Sequence, residues 1–100
     1  MEPAAILDET AFNEISGGTE YPLDLHVRIV GERNGTEYGY IQVSSKWHAM
    51  SLKYRIGQQI GEHVNNFDIS LSNEEPIRYT ATVEGNGIHD YQTIYVHPIY

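Results

Sequence analysis

The stretch that decides the fold runs from residue 21 to residue 43 and reads YPLDLHVRIVGERNGTEYGYIQV. Asn34-Gly35 lies near its middle, and this pair is the strongest short signal for a tight hairpin because both residues tolerate positive φ. Before the pair, apolar residues take alternate positions, which is typical of a strand with one buried face: Tyr21, Leu23, Leu25, Val27 and Ile29. The stretch therefore predicts two antiparallel strands, the second over residues 38–43.

The same alternation recurs downstream in four segments. It predicts strands at residues 49–56, 67–71, 77–83 and 91–99. A second Asn-Gly pair, Asn86-Gly87, predicts a hairpin between the last two strands. The last strand carries apolar residues on both faces, so we expect it to be central or covered by a helix.

The segment between residues 57 and 66 gives a mixed signal. Ile56, Ile60 and Val64 are spaced as on a helix, but each internal glycine costs about 1 kcal/mol there. We interpret the segment as a loop that contains one turn.

A short helix is predicted at the N-terminus, over residues 8–16. Asp8 or Thr10 can accept hydrogen bonds from the first turn, and Gly17-Gly18 follows as a helix stop. A helix of this length is not stable alone in water, so it must pack on the rest of the chain.

These elements predict a single domain over residues 1–100, which consists of a helical segment (1–18) and an antiparallel β domain (19–100). The expected class is mainly β (α+β), with a short N-terminal helix followed by about six antiparallel strands in hairpins. A sandwich and a partly closed barrel both satisfy this pattern.

The composition is acidic, with 14 Asp and Glu against 6 Lys and Arg and a formal net charge of −8. Such a charge disfavours direct binding to nucleic acid or anionic membranes, which reward cations. It favours association with a basic protein. The chain has no cysteine, and residues 1–3 (MEP) lack the features of a signal peptide. We therefore expect a cytoplasmic protein, in a host cell if the gene is phage-encoded.

The charge is unevenly distributed along the chain. Residues 38–61 contain no acid but hold Lys46, Lys53 and Arg55 close to Trp47 and His48. Three cations are too few for a nucleic-acid surface. Trp47 is either a core residue or an interface anchor surrounded by charge.

The five histidines do not form a recognisable metal or catalytic motif. No two lie two, three or four residues apart, which removes the usual chelating pair. Two histidines have an acidic neighbour, His63 after Glu62 and His89 before Asp90, but adjacent side chains on a strand point to opposite faces. We predict no catalytic residues, no metal and no cofactor.

Tyrosines and acidic side chains are the candidate binding residues. Tyrosine is frequent on recognition surfaces, and carboxylates suit a basic partner. The candidates are Asp8, Glu9, Glu14, Tyr38, Tyr40, Trp47, Glu74, Glu75, Glu84 and Tyr91.

The leading hypothesis is a non-enzymatic protein-binding module. In its specific form it is a small acidic inhibitor or immunity-type protein, phage or mobile-element encoded, that blocks a basic, nucleic-acid-handling partner. The alternative is a virion or tail subunit, which would self-associate through strand edges. A small enzyme or metal binder that uses His48, His63 or His89 is the third hypothesis.

Overall fold

The computed structural model describes residues 21–71 and 75–99, which form one four-stranded sheet and a helix on one of its faces. The strand order is β2-β1-β4-β3; β1 and β4 are parallel, and the other two pairs are antiparallel. The strands are β1 (Leu25–Gly31), β2 (Glu37–Val43), β3 (Phe67–Leu71) and β4 (Gln92–Pro98), and the helix is α1 (Ala49–Ile60). Short 3-10 helices span Val64–Asn66 and Glu84–Asn86.

The first hairpin is confirmed, because β1 and β2 pair antiparallel around the Asn34-Gly35 turn. Gly35 has a φ of 69°, and its N–H donates to the carbonyl of Gly31 over 2.8 Å. The side chain of Asn34 accepts hydrogen bonds from the amide and the hydroxyl of Thr36. The strand itself begins at Leu25, so Pro22 lies outside the sheet.

The strand predicted over residues 49–56 is wrong, because this segment is the first part of α1. The segment also has apolar residues three and four apart, Ala49, Leu52 and Ile56, which share one helix face. All three are fully buried against the sheet. The packing of this face decided between two periods that the short segment satisfies equally well.

The helix continues through Gly57 and ends at Gly61, which has a φ of 75°. The carbonyl of Gly57 accepts from the amides of Gly61 and Glu62, which is a common helix stop. A β-carbon at residue 57 would lie 2.9 Å from the carbonyl oxygen of Glu62. Close approach of the backbone therefore explains a glycine that helix propensity disfavours. The prediction of a loop is wrong for residues 57–60, which are helical, whereas residues 61–66 form a loop that contains one 3-10 turn.

The second predicted hairpin is also wrong. Residues 77–83 form turns and isolated bridges instead of a strand, and Asn86-Gly87 ends a 3-10 helix. The side-chain amide of Asn86 donates to the carbonyls of Arg78 and Thr82, and its oxygen accepts from the amide of Arg78. This asparagine therefore fixes a loop through its side chain.

The central position of β4 is confirmed, but its pairing is not the predicted one. β4 lies between β1 and β3 and runs parallel to β1, so the expected class of six antiparallel strands in a sandwich or barrel is wrong. The observed class is α+β, with one open mixed sheet covered by α1. The helix predicted over residues 8–16 lies outside the described residues.

The core lies between α1 and the facing side of the sheet. Its side chains come from all four strands, the turn before α1, the helix and the loop that follows β3: Val27, Ile29, Ile41, Val43, Trp47, Ala49, Leu52, Ile56, Phe67, Ile69, Leu71, Ile77, Val83, Ile88, Ile94 and Val96. The described helices include none with the length and apolar character needed to cross a bilayer.

Lys53 of α1 contacts both β3 and the loop that follows it. Its side chain is only 8 % exposed, and its Nζ lies 3.4 Å from Asp68 Oδ1 and 4.8 Å from the centre of the Tyr79 ring. The Tyr79 hydroxyl accepts from the amide of Ile69 over 3.3 Å and donates to Asp68 Oδ1. Burial, together with Asp68, raises the pKa of Tyr79 to about 12.

Tyr79→Phe tests this attachment. We expect the variant to lose about 1–3 kcal/mol of unfolding free energy near pH 7, because both hydrogen bonds of the hydroxyl are removed, each worth about 0.5–1.5 kcal/mol. The neutral hydroxyl stabilises the wild type fully below pH 10, the ordinary pKa, and this contribution disappears as the pH rises towards 12. Urea unfolding near pH 7 and near pH 11 measures both effects. A difference between the two proteins that is the same at both pH values would contradict the role assigned to the hydroxyl.

Candidate functional site

One face of the sheet is covered by α1. No helix among residues 21–71 and 75–99 covers the opposite face, which we name the open face. Alternation along the strands places His26 and Arg28 of β1 on the open face, next to Gln42 and Tyr40 of β2. β4 contributes Tyr95, which is paired with Val30 of β1.

Three rings form a cluster at one end of the open face, and we name it the aromatic patch: His26, Tyr40 and Tyr91. The rings of His26 and Tyr91 are stacked, with centroids 5.0 Å apart and planes 3° apart. Tyr40 meets Tyr91 edge-on at 5.8 Å. Tyr40 and Tyr91 are 53 % and 60 % exposed, so more than half of the surface of each residue is accessible to solvent. The patch is thus a fixed but accessible apolar surface.

Tyr91 has an unusual backbone conformation, with a φ of 66°. It occupies a turn in which the amide of Gln92 donates to the carbonyl of His89, and its own amide donates to the carbonyl of His26 over 2.6 Å. The left-handed region costs a residue with a β-carbon about 1–2 kcal/mol. Glycine or asparagine is the usual choice here, so the tyrosine occupies a place where stability alone favours a smaller residue. Such outliers are concentrated at functional sites.

Polar contacts fix the imidazole of the patch on both sides. Asp90 Oδ1 accepts from the amide of His26 over 2.8 Å and lies 3.2 Å from its Nδ1. The other ring nitrogen, Nε2, lies 3.2 Å from the amide nitrogen of Gln42. The hydrogen bond from the His26 amide, followed by the contact with the His26 side chain, lowers the pKa of Asp90. This carboxylate therefore stabilises the fold above pH 3.8 and loses that effect as the pH falls through its lowered pKa.

Arg28 and Glu37 border the patch as an ion pair. Both guanidinium nitrogens Nε and Nη2 contact the carboxylate, at distances between 2.6 and 3.1 Å. The hydrogen bond from Arg28 lowers the pKa of Glu37, and the same bond raises that of Arg28. The pair offsets its own charge, whereas the Asp90 carboxylate beside His26 keeps a negative charge at the patch.

The structure brings together two of the predicted binding residues, Tyr40 and Tyr91. Tyr38 instead packs against the core, with its ring 3.4 Å from the position of a β-carbon on Gly31. Trp47 is only 7 % exposed and belongs to the core, so its interpretation as an interface anchor is wrong.

The acidic candidates are spread more widely. Glu84 is exposed and forms an ion pair with Lys46 over 2.9 Å, and Glu75 is exposed beyond the end of β3. Asp8, Glu9, Glu14 and Glu74 lie outside the described residues. Five acids and no lysine or arginine fall within residues 1–20, so the acidic excess belongs largely to that segment.

His26 is the patch residue that sequence reasoning missed. Its position on the polar side of a predicted strand was visible, but its partners were not. Tyr91 lies 65 positions later, and only the parallel pairing of β1 with β4 brings the two rings together.

A second polar chain crosses the other end of the open face. Ser70 Oγ lies 2.5 Å from His97 Nε2, and His97 Nδ1 lies 3.5 Å from Glu32 Oε1. The order hydroxyl, imidazole, carboxylate is that of an activated nucleophile. Ser70 is only 7 % exposed and its strand is paired with β4, so a substrate has little access to its hydroxyl. We interpret the chain as a hydrogen-bonded connection between neighbouring strands.

The other histidines named as enzyme or metal candidates do not converge. His63 accepts from the amide of Asn65 and begins a 3-10 helix, whereas His48 precedes α1. Within residues 21–71 and 75–99, no group of three side chains is arranged to hold a metal ion.

Comparison with solved structures identifies the architecture. Ubiquitin from Caldiarchaeum subterraneum superposes with a TM-score of 0.68 over 76 % of this chain and 94 % of its own, at 12 % identity. The fold is ubiquitin-like. The UBL domain of yeast Ddi1 gives a TM-score of 0.65 over 82 % of this chain and 96 % of that domain, at 16 % identity. An Arabidopsis thaliana protein solved by NMR gives 0.64 over 81 % and 93 %, also at 16 %.

The likeness at these identities concerns the fold alone. No protein-family model and no curated protein matches the sequence. The ubiquitin-like fold replaces the predicted β-sandwich or barrel, and it explains why a helix follows the first hairpin.

Proposed function

We propose that this chain is a non-enzymatic protein-binding module that holds its partner at the aromatic patch. The observation that carries the proposal is the exposed pair Tyr40 and Tyr91, which a strained turn and a stacked His26 keep in one arrangement. The ubiquitin-like fold supports the proposal, because it is a type of protein-interaction module.

The physical advantage of the patch is that its rings are ordered before binding. A tyrosine buries a large area and loses few rotatable bonds, and a ring that is already stacked loses still fewer. Interface energy is concentrated in a few such aromatic residues near the centre of a contact. We therefore assign the main binding energy to the two exposed tyrosines.

For the partner we propose a basic protein, and specifically a nucleic-acid-handling protein that this chain inhibits. The net charge of −8 supports this choice. The exposed ring faces support it as well, since tyrosine attracts arginine and lysine through its π electrons. In this form the acids of residues 1–20 increase the rate of association, and the patch determines the lifetime of the complex.

The test uses the full chain as bait for proteins of its native host, and then measures the affinity of the purified partner. Tyr91→Gly and Tyr40→Ala should each weaken binding by about 30-fold or more, the loss that corresponds to a hot spot of 2 kcal/mol. Binding should also weaken as salt is raised. Gln58→Ala, an exposed position on α1, is the matched control and should bind as the wild type does.

Glycine is chosen at residue 91 because it separates binding from folding. The variant loses a ring stack worth about 0.5–1.5 kcal/mol, but it gains relief from the left-handed strain of similar size. We expect its unfolding free energy to stay within about 1 kcal/mol of the wild type. A partner that binds both tyrosine variants at full affinity would contradict the proposed site, and a partner without basic character would contradict the proposed specificity.

A further inference from the structure

The two Asn-Gly pairs of the sequence lie in different environments. Asn34 of the first pair is exposed at the tip of the hairpin between β1 and β2. Asn86 of the second pair is half-buried at the end of a 3-10 helix. An asparagine that precedes glycine is chemically labile, because the unhindered amide nitrogen of the glycine can approach the side-chain carbonyl carbon closely. The surroundings of each asparagine therefore decide whether this chemistry proceeds.

The side-chain oxygen of Asn34 accepts two hydrogen bonds from a single residue. The amide of Thr36 donates to it over 3.2 Å, and the Thr36 hydroxyl donates over 2.7 Å. A backbone N–H can only donate, so the accepting atom is Oδ1 and not the side-chain nitrogen. Two donors on one carbonyl oxygen make the attached Cγ more electrophilic. They also stabilise the negative charge that develops on this oxygen when a nucleophile attacks Cγ.

The nucleophile is the amide nitrogen of Gly35, which follows Asn34 directly. A β-carbon on Gly35 would have no heavy atom within 4 Å, so the space beside this residue is open. The N–H of Gly35 donates to the carbonyl of Gly31 over 2.8 Å, and this bond must open before the attack. Residues 32–37 are all exposed, and such hairpin tips open at little cost in free energy.

The side chain of Asn86 is held in the opposite sense. Its Nδ2 donates to the carbonyls of Arg78 and Thr82, each over 2.9 Å, and its Oδ1 accepts from the amide of Arg78 over 2.8 Å. Rotation of this side chain towards the Gly87 nitrogen breaks all three bonds. The Gly87 amide is bonded as well, to the carbonyl of Glu84 over 3.0 Å. The two pairs thus differ in the side-chain contacts and not in the backbone bond that must open.

We propose that Asn34 is a modification site at which the hairpin tip promotes its own deamidation. The Gly35 nitrogen forms a bond to Cγ of Asn34, and its proton passes to solvent hydroxide. The bond between Cγ and Nδ2 then breaks, and Nδ2 takes a proton from water and leaves as ammonia. The product of this step is a cyclic succinimide.

Water then opens the succinimide ring at one of its two carbonyl carbons. Addition at Cγ breaks the bond to the Gly35 nitrogen and gives aspartate at residue 34. Addition at the main-chain carbonyl carbon gives isoaspartate, in which the chain continues through the side chain. The overall reaction consumes one water and releases one ammonia, and it needs neither an oxidant nor a reductant.

Either product places a new carboxylate at the tip of the hairpin. An aspartate at this position still accepts both hydrogen bonds from Thr36, and bonds to an ionised acceptor are stronger than those to a neutral one. The tip lies at the opposite end of β1 from His26. The inference is therefore independent of binding at the aromatic patch.

The test is incubation of the folded full-length chain in mildly alkaline buffer, followed by peptide mapping with mass spectrometry. We expect Asn34 to deamidate about tenfold faster than Asn86 or more, because at Asn86 the equivalent of at least one net hydrogen bond must be lost before the attack. In concentrated urea the two rates should become similar, since the same dipeptide then reacts without its folded surroundings.

Variants at residue 36 isolate the contribution of the hydroxyl. Thr36→Val keeps the branched shape but removes the O–H donor, and it should slow deamidation of Asn34 about tenfold in the folded protein. Thr36→Ser keeps the donor and should retain the wild-type rate. In urea, Thr36→Val should react as the wild type does. A merely structural role predicts the opposite change, because a loosened hairpin tip would expose Asn34 to faster attack.

Three outcomes would overturn the proposal. One is a rate at Asn86 that equals or exceeds the rate at Asn34 in the folded protein. Another is deamidation of Asn34 in urea but not in the folded chain, which would mean that the closed turn protects this residue. The third is an unchanged rate in folded Thr36→Val, which would show that the hydroxyl does not assist the reaction.

Discussion

Replacement of Trp47 by alanine should lower the free energy of unfolding by about 3–5 kcal/mol. The indole is 93 % removed from solvent and packs in the core at the start of α1. Its backbone also holds the loop after β3, because the carbonyl of Trp47 accepts from the amide of Val83 over 2.7 Å. A small domain has only about 5–15 kcal/mol of stability, so the variant should be partly unfolded at temperatures at which the wild type is folded.

Urea unfolding followed by circular dichroism measures this loss. Tyr40→Ala is the matched control, because its ring is similar in size but exposed, and it should change the unfolding free energy by less than about 1 kcal/mol. If Trp47→Ala kept full stability and lost only partner binding, the indole would be an interface residue and its place in the core would be wrong.

Ile94→Ala in the centre of β4 should cost about 2–5 kcal/mol of unfolding free energy. Ile94 is fully buried, and it is paired with Ile29 on one side and Leu71 on the other. The cavity would therefore open where three strands and the helix meet. Neither neighbouring strand can move into the space without breaking its own ladder.

The adjacent residue provides the control for this prediction. Thr93 points to the open face, so Thr93→Ala should cost less than about 1 kcal/mol. A comparison of the two variants by thermal unfolding tests the assignment of faces on β4. If Thr93→Ala lost as much stability as Ile94→Ala, or more, the register of β4 would differ by one residue from the one described above.

The first hairpin could be predicted because its information is local. The Asn34 side chain and the positive φ of Gly35 stabilise the turn locally. The alternating strands on either side can be recognised without reference to any distant part of the chain. Asn86-Gly87 has the same two letters but ends a 3-10 helix, because the Asn86 side chain bonds to Arg78 and Thr82. The pair alone does not specify its environment.

The helix was missed for a different reason. Residues 49–56 satisfy both a period of two and a helical period, and local propensity does not separate them. The sheet decides, because Leu52 and Ile56 cover it only if the segment is helical. The parallel pairing of β1 with β4 is still harder to predict, because no local pattern identifies two strands far apart in the sequence as neighbours.

The candidate site was predictable in part. The abundance of tyrosine selected Tyr40 and Tyr91, which the structure places together on an exposed surface, but the same argument also selected Tyr38, which packs inward. Which of Tyr38 and Tyr40 is exposed depends on the bulge between Ile29 and Val30, where the register of the hairpin shifts by one residue. No sequence pattern reveals that shift.

The parallel contact between β1 and β4 also determines how this protein reaches its native state. About 65 residues of chain separate Val27 from its partner Gln92, so the centre of the sheet closes only after a long loop has been ordered. The hairpin and α1 involve short-range contacts and can form much sooner. High contact order slows folding, and the two middle strands therefore govern the folding rate of the whole domain.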